Sequence, residues 1–541
     1  MHMKRLNILV ALIFFTLAVS AQKITQKEVD DQLKELPFES FKIKLPTFPD
    51  RTFNIVEQGA VGYGVFKNTQ IINSAIQECS KAGGGTVVVP AGIFVTGPIT
   101  MASHVNLHLE AGAVILFSGD SEDYPLDFSS SGKASMPSLI SGSDLVDVAI
   151  TGDGVINGNG DKWRPVKKEK RTEKQWKELV KSGGELSDDE KIWFPQKGTQ
   201  AAIDLKKGMK ESKMTREDWE KVRLTLRSYT LNVEETKNML VEGITLMNSP
   251  HITNMLRSID GLVMHDVKVL NEWWYQNADG LDISRCQNVL LYNCTVNTGD
   301  DGICMKSSGK KEGEFRLENI VIKDCKVFHG HGGFVIGSNT DGGMNNIYVK
   351  NLSCSMTDIG LRFKSDVTRG GKVTNVYIED VYMTNLIGEA ISFNLDYKDN
   401  AAIPVNIDAS KFLAPDFDGL HFKNIYCYGA EKAAVLGGVN ADLNVKNVTF
   451  ENMLLQTREG FEAIRSEGIS LKNVTVEPER GPAFLLEDVS NFSFENMHAS
   501  TEKLVQVKGA ETSALKIKSS GLTAENIEFA DGADPKVLDV K

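Results

Sequence analysis

An all-β solenoid, a single right-handed parallel β-helix, is the fold this sequence predicts, and three observations predict it. Segments of one pattern recur, an Asn or Gly followed by alternating apolar residues and a second Asn or Asp: NMLVEGITL, GLVMHDVKV, NVLLYNCTV, NIVIKDCKV, NIYVKNLSC and NVYIEDVYM. Their starts, at Asn238, Gly261, Asn288, Asn319, Asn346 and Asn375, lie 23 to 31 residues apart, a period that means stacked units. Within each copy the apolar residues alternate with period two and are often β-branched, which asks for a strand on a common face. No long amphipathic helix separates the copies, which argues against βαβ units.

Taken in order, the chain begins MHMKRLNILVALIFFTLAVSAQ, with Lys4 and Arg5, an apolar run and then Ala21. This reads as a secretory signal over residues 1–21, cut before Gln22. The run is too short to span a membrane, and no cysteine follows it to suggest a lipid anchor. The expected product is exported, periplasmic or secreted, and has no membrane attachment once the signal is removed. Residues 22–541 are read as one domain, because solenoids routinely exceed the usual domain size.

Asn68 is placed to cap a helix carrying Ile71, Ile72, Ala75 and Ile76, which Gly83 to Gly85 stop. That helix is expected to close the N-terminal end of the solenoid, where an open edge would invite association. TVVVP, VNLHLE and AVILF follow as strands between Gly or Pro turns. Residues 162–227 then break the pattern with charged sequence such as KKEKRTEKQWKELVKSGG and TREDWEKVR. They read as a helical insertion from one coil, either a solvated flap or a lid that contacts substrate. NIYCYGAEK, NVTFENMLL, NVTVEPERG and NFSFENMHA carry the repeat nearly to the C-terminus.

A formal charge of −12 argues against nucleic acid or an anionic membrane as partner. Seven cysteines without a CxxC pair argue against a zinc site. Cys294 and Cys325 hold equivalent repeat positions, so they are read as small core residues on neighbouring coils, although export would permit one bridge.

Chemistry concentrates in residues 277–306, NADGLDISRCQNVLLYNCTVNTGDDGICMK, where Asp279, Asp300 and Asp301 sit beside turn glycines. Neighbours on a regular strand point to opposite faces, so Asp300 and Asp301 would be split across the sheet. Gly299 and Gly302 let the backbone bend and bring both to one groove. Crowding then separates their pKa values, one carboxyl keeping its proton as an acid. Taken alone, such a pair reads first as an Asx turn with solvated carboxylates. Other motifs change the weighting: His331 in HGHGG, Arg362 and Lys364 in LRFKS, and His251 in NSPH. In a solenoid, corresponding points of successive coils stack into a line, so these motifs converge.

The order NADG, GDD, GHG and R-x-K resembles glycoside hydrolase family 28, the polygalacturonases and their relatives, whose pattern is NTD, DD, GHG and R-x-K. The resemblance runs from about Phe53 to Tyr397, and Ala278 is the one departure. It implies an inverting hydrolase of α-1,4-galacturonosidic bonds in pectic polysaccharide or oligogalacturonide. Asp300 would be the general acid, Asp279 and Asp301 would position and deprotonate water, and His331 would stand beside the acid. Arg362, Lys364 and Lys306 would grip a uronate, with Asn277, His251 and Tyr397 at subsites. Asp282 is given a structural turn role. Trp273, Trp274 and Tyr275 are open to sugar stacking or core packing. No metal or cofactor is called for, and a monomer is the expectation. Exo-cleavage is expected if the insertion walls one end of the groove. Rhamnogalacturonan hydrolysis, a calcium-dependent pectate lyase and a non-catalytic binding solenoid are the rivals.

Overall fold

A computed structural model describes residues 24–309, 315–397, 413–440, 443–500, 504–518 and 523–540. The expected signal, residues 1–21, lies outside them. The chain winds as a right-handed parallel β-helix whose coils pair strand to strand with their neighbours. One coil comprises Gln287–Tyr292, Thr295–Asn297 and Asp301–Lys306, and these pair in parallel with Leu317–Lys323, Lys326–Phe328 and Gly332–Ile336 of the next.

The recurring asparagines explain the period. Asn238, Asn288, Asn319, Asn346 and Asn375 all adopt left-handed φ, between 52° and 60°, a region that Asn tolerates better than most residues. They also stack: Asn319 Nδ2 donates to Asn288 Oδ1 at 3.1 Å, and Asn346 Nδ2 to Asn319 Oδ1 at 3.1 Å. The second polar position does the same, Asn293 and Asp324 at the bend between two strands and Asn351 within a longer one. Each repeat therefore encodes its own corners.

Five short strands form the sheet that carries the site: β1 (Leu281–Ser284), β2 (Asp301–Lys306), β3 (Gly332–Ile336), β4 (Leu361–Lys364) and β5 (Glu389–Asn394). Leu281, Ile303, Phe334, Leu361 and Ile391 stack in register and point inward. Phe363, fully buried, lies parallel to Phe393 with centroids 4.4 Å apart. Truncating such a ring to Ala costs about 3–5 kcal/mol, so the inward row fixes the register of everything facing out. All seven cysteines are buried free thiols.

The N-terminal side departs from expectation in one respect. Helix α1 (Gln26–Gln32) and the segment after it lie against the outside of the solenoid, with Ile24, Val29, Leu33 and Ile43 covering Ala149, Leu240, Val263, Leu290 and Val321. Helix α2 (Thr69–Lys81) buries Ile72, Ala75, Ile76 and Cys79 as expected. Asn68 stands at its N-cap position but makes no capping bond, because its buried amide instead ties down the backbone of Val61, Phe66 and Val95.

The insertion holds α3 (Glu173–Lys181), α4 (Thr199–Lys207) and α5 (Arg216–Lys221), with a small antiparallel sheet of Val166–Lys167, Glu185–Leu186 and Ile192–Phe194. It is not a solvated flap. Trp163, Trp176, Trp193 and Trp219 are all buried, and Val166, Trp176 and Trp193 pack against Trp274, Tyr275 and Ala278 of the solenoid. Tryptophans scattered among lysines give the segment a core that its overall charge conceals.

Candidate active site

The motifs converge on the turns that enter β1 to β4. Asp279 stands just before β1, Asp300 and Asp301 at the start of β2, and His331 just before β3. One carboxylate oxygen from each of Asp279, Asp300 and Asp301 lies within 4.8 Å of the others. Close packing of the turns makes this possible. A Cβ at Gly299 would meet the Tyr275 carbonyl oxygen at 2.4 Å, and one at Gly302 would strike Val327 at 2.6 Å.

Each carboxylate has a different partner. Asp300 Oδ2 accepts from the Asn277 backbone N–H at 3.0 Å and Oδ1 from the Asp301 N–H at 2.9 Å. His331 Nδ1 lies 3.2 Å from Asp300 Oδ1, and Nε2 lies 3.8 Å from Asp358. Burial alone would raise the Asp300 pKa, but the His331 hydrogen bond and charge, the Asp301 N–H and Lys364 together pull it down to about 2. His331 moves the opposite way, raised chiefly by its bond to Asp300 against the cost of burial. In the resting site the proton of this pair therefore sits on His331. The expectation that Asp300 itself retains it is corrected, since a flanking imidazolium stabilises the carboxylate more than burial penalises it.

Asp301 is buried and fixed by Lys364, whose Nζ donates to Oδ2 at 2.6 Å; Arg362 reaches Oδ1 at 3.4 Å. Lys364 stays strongly basic because Asp301 outweighs the burial that would lower its pKa. Lys306 Nζ donates to Asp279 Oδ2 at 2.7 Å and also contacts Asp282 Oδ2. Two buried carboxylates thus share one ammonium. Burial raises the pKa of both, Asp282 far more than Asp279, and Asp282 Oδ1 has no hydrogen-bond partner among the described residues. Asp282 is no turn residue: it lies in β1, fully buried.

These contacts redraw the substrate-binding set. Lys306 and Lys364, expected to grip a uronate, have their nitrogens seated on site carboxylates and are themselves largely buried. Arg362 is held more loosely, at 3.4 Å from Asp301 Oδ1 and from the His331 carbonyl, with its guanidinium 5.5 Å from the centre of the Tyr397 ring. Tyr397 is 37% exposed and also lies 4.9 Å from Lys364 Nζ. Asn277 is exposed, in left-handed conformation at φ 54°, and its main-chain N–H is the group engaged. His251 stacks on Tyr229 at 5.3 Å, and burial with the nearby Arg227 and Arg164 charges pushes its pKa down to about 3. It is a neutral ring at any working pH.

One residue went unrecognised in the sequence. Arg164, 1% exposed at the root of the insertion, donates to the backbone carbonyls of Ser249, His251 and Gln276, and its guanidinium lies 4.4 Å from the centre of the Tyr275 ring. Tyr275 in turn donates to Asp161 at 2.6 Å. Arg164 thereby ties NSPH to the segment leading into NADG. It sits in WRPV with no motif around it, and only the excess of local tryptophan hinted at a packed junction. Of the aromatic run, Trp274 and Tyr275 are core, whereas Trp273 is 49% exposed beside Lys170.

Known proteins resemble this chain in sequence and in fold. The sequence model of Glycosyl hydrolases family 28 matches residues 225–478, the stretch that holds every carboxylate of the site. The exo-poly-alpha-D-galacturonosidase of Dickeya chrysanthemi is 27% identical over 366 residues, 65% of this chain and 58% of its own length. This chain therefore spans little more than half of that relative. A probable polygalacturonase of Vitis vinifera is 24% identical, covering 83% of this chain and 85% of its own. Among solved structures, the family 28 exopolygalacturonase of Yersinia enterocolitica superposes with a TM-score of 0.63 at 23% identity, over 84% of this chain and 79% of that one, a likeness of fold. Over residues 225–478 the chain matches the model of Glycosyl hydrolases family 28, and it is similar to glycoside hydrolases of the polygalacturonase type.

Proposed function

We propose that the protein is an exported, exo-acting hydrolase of α-1,4-galacturonosidic bonds in pectic polymers, working by single displacement with inversion. The observation that carries the proposal is the meeting of Asp279, Asp300 and Asp301 within 4.8 Å, with His331 on Asp300 of the three. Glycoside hydrolysis needs an acid at the leaving oxygen and a base on water. Asp300 is the acid of this reading, drawing its proton from His331 Nδ1 as a glycosidic oxygen displaces solvent; the pair titrates as a unit. Asp279 and Asp301, each anchored by a lysine through one oxygen, hold and deprotonate the water. Arg362, with Tyr397 beside it, is the receptor for a uronate carboxylate. Lys306 and Lys364 act on the carboxylates and not on the substrate.

Carboxylates this close lie nearer the retaining spacing of about 5–5.5 Å than the inverting spacing of about 6.5–9.5 Å. Inversion rests instead on the family resemblance and on two carboxylates sharing one water, and the anomer first released decides it. Exo-action is supported by the insertion, which packs on Trp274 and Tyr275 beside Asn277 and can close that end, and by the name of the Dickeya relative. Export is supported by the basic, apolar N-terminal sequence. The test is a product profile on polygalacturonate and on rhamnogalacturonan, with and without chelator. Saturated galacturonate from the first, insensitive to chelator and abolished by Asp300→Asn, is expected. Unsaturated products lost with chelator would mean a lyase, and activity on rhamnogalacturonan alone would overturn the substrate.

A further inference from the structure

Beyond His331 the same row of turns continues along the solenoid. Asp358 N–H donates to the Gly330 carbonyl at 2.8 Å, Gly388 to Asp358 at 2.7 Å, Glu431 to Gly388 at 2.8 Å and Glu459 to Glu431 at 2.8 Å. This ladder of turns runs from the acid into a groove of about 610 Å³ lined by Ile387, Tyr428, Glu431, Arg458, Glu477 and Glu479 among others. With rungs about 4.8 Å apart, the groove starts about 14 Å from Asp300 and ends about 29 Å from it. A polymer lying along the turns with one bond at the carboxylates passes through it.

The groove is acidic. Three glutamates line it against one arginine. That arginine, Arg458, is paired with Glu431 at 3.0 Å, and neighbouring Arg480 is held by Glu431 at 2.7 Å and Glu459 at 2.9 Å. Glu477 and Glu479 have no ion pair among the described residues, and neither is buried. The apolar surfaces are open: Ile387 is 70% and Tyr428 67% exposed. An ionised uronate entering here meets like charge and, among the described residues, arginines already engaged by glutamates, whereas an uncharged pyranose meets an aromatic face and carboxylates that accept its hydroxyls.

We propose that this groove is a distal subsite for uncharged pyranose units. The enzyme then works best on pectic chains with a free uronate at the cleavage point and neutral units from about three turns away. Those units are methyl-esterified galacturonate or neutral sugars. The inference rests on the galacturonosidase reading above, and its test separates the two. Initial rates are compared for an unesterified trimer, a long unesterified oligogalacturonide, and two long oligomers that are neutral beyond the scissile end, one by methyl esterification and one by neutral-sugar substitution. Cleavage of the trimer tests the catalytic reading; its failure would overturn that reading. For the groove, kcat/KM on a neutral long chain is expected to exceed that on the unesterified one by about tenfold at low salt. Whichever neutral chain gains more names the source. In the Glu477→Gln, Glu479→Gln double variant, the ratio of long-unesterified to trimer kcat/KM is expected to rise severalfold, with an unchanged melting temperature as the folding control. Equal or faster cleavage of the long unesterified chain by the parent, or an unmoved ratio in the variant, overturns the proposal.

Discussion

Lys364→Met separates two roles that the same lysine could have. Lys364 Nζ lies 2.6 Å from Asp301 Oδ2, and both side chains are almost wholly buried. Removing one partner of such a pair leaves an uncompensated buried charge, at a cost of about 3–5 kcal/mol. Arg362, at 3.4 Å and on the other oxygen, offsets part of this, so about 3 kcal/mol is the working figure. The variant can meet that cost by protonating the carboxylate, and at 1.36 kcal/mol per tenfold this is about a hundredfold loss of the ionised form, so the acid limb of kcat/KM moves up. Activity on the acidic side of the optimum falls about a hundredfold, while KM for polygalacturonate at the new optimum stays near the parent's. Lys364→Arg, which keeps the charge, restores part of the acid limb. The assay is a pH series of initial rates with a thermal melt of each variant. A parent-like pH profile with a large rise in KM would refute the reasoning and return Lys364 to substrate binding.

Three further outcomes follow from the geometry. The parent's pH profile is a bell whose acid limb lies above the ordinary aspartate range, because burial holds Asp279 up, and whose basic limb lies above the ordinary histidine value, because Asp300 raises His331. The sign is fixed by the partner: a histidine that gains a carboxylate keeps its proton to higher pH, and the activity is lost as pH rises through that raised pKa. His331→Asn removes the charge that depresses Asp300, so burial takes over and the Asp300 pKa climbs; NMR titration of its carboxyl would detect this, and an unmoved value would contradict the assignment. Arg164→Met leaves three main-chain carbonyls without their donor, each worth about 1–3 kcal/mol, and is expected to lower the melting temperature and kcat together. Loss of stability at full kcat would mean that the junction does not position Asp300.

The coils were legible because each repeat writes its own geometry. Asn at a left-handed corner and alternation between corners are local signals, and Asn288, Asn319 and Asn346 carry both. The N-terminal cover was not legible, because Leu240, Val263, Leu290 and Val321 face outward yet read as ordinary strand residues. A period-two pattern tells which residues share a face, and not what covers that face. The insertion misled for a related reason: lysine and glutamate dominate its composition, while four tryptophans decide its packing.

In the site, motif order found the acids, and the pairing between charges stayed hidden. Lys306 and Asp282 are 24 residues apart and Lys364 and Asp301 63 apart, so no local spacing joins them. They meet because rungs stack: Asp282 pairs with Cys304 in register, two residues before Lys306, and β4 lies two rungs from β2. R-x-K reads as two cations on one strand face, which is correct. Which of them meets solvent depends on the next rung down. Both reach back to Asp301, Lys364 at 2.6 Å and nearly buried, Arg362 at 3.4 Å and partly exposed. The wall beyond follows the same logic. Glu431, Glu459 and Arg480 come from three successive turns, and only their stacking leaves the arginines engaged and Glu477 and Glu479 without an ion pair among the described residues. In a solenoid, then, a functional charge is defined by its position across coils, and a sequence motif assigns its chemistry only after its neighbours one rung away have been subtracted.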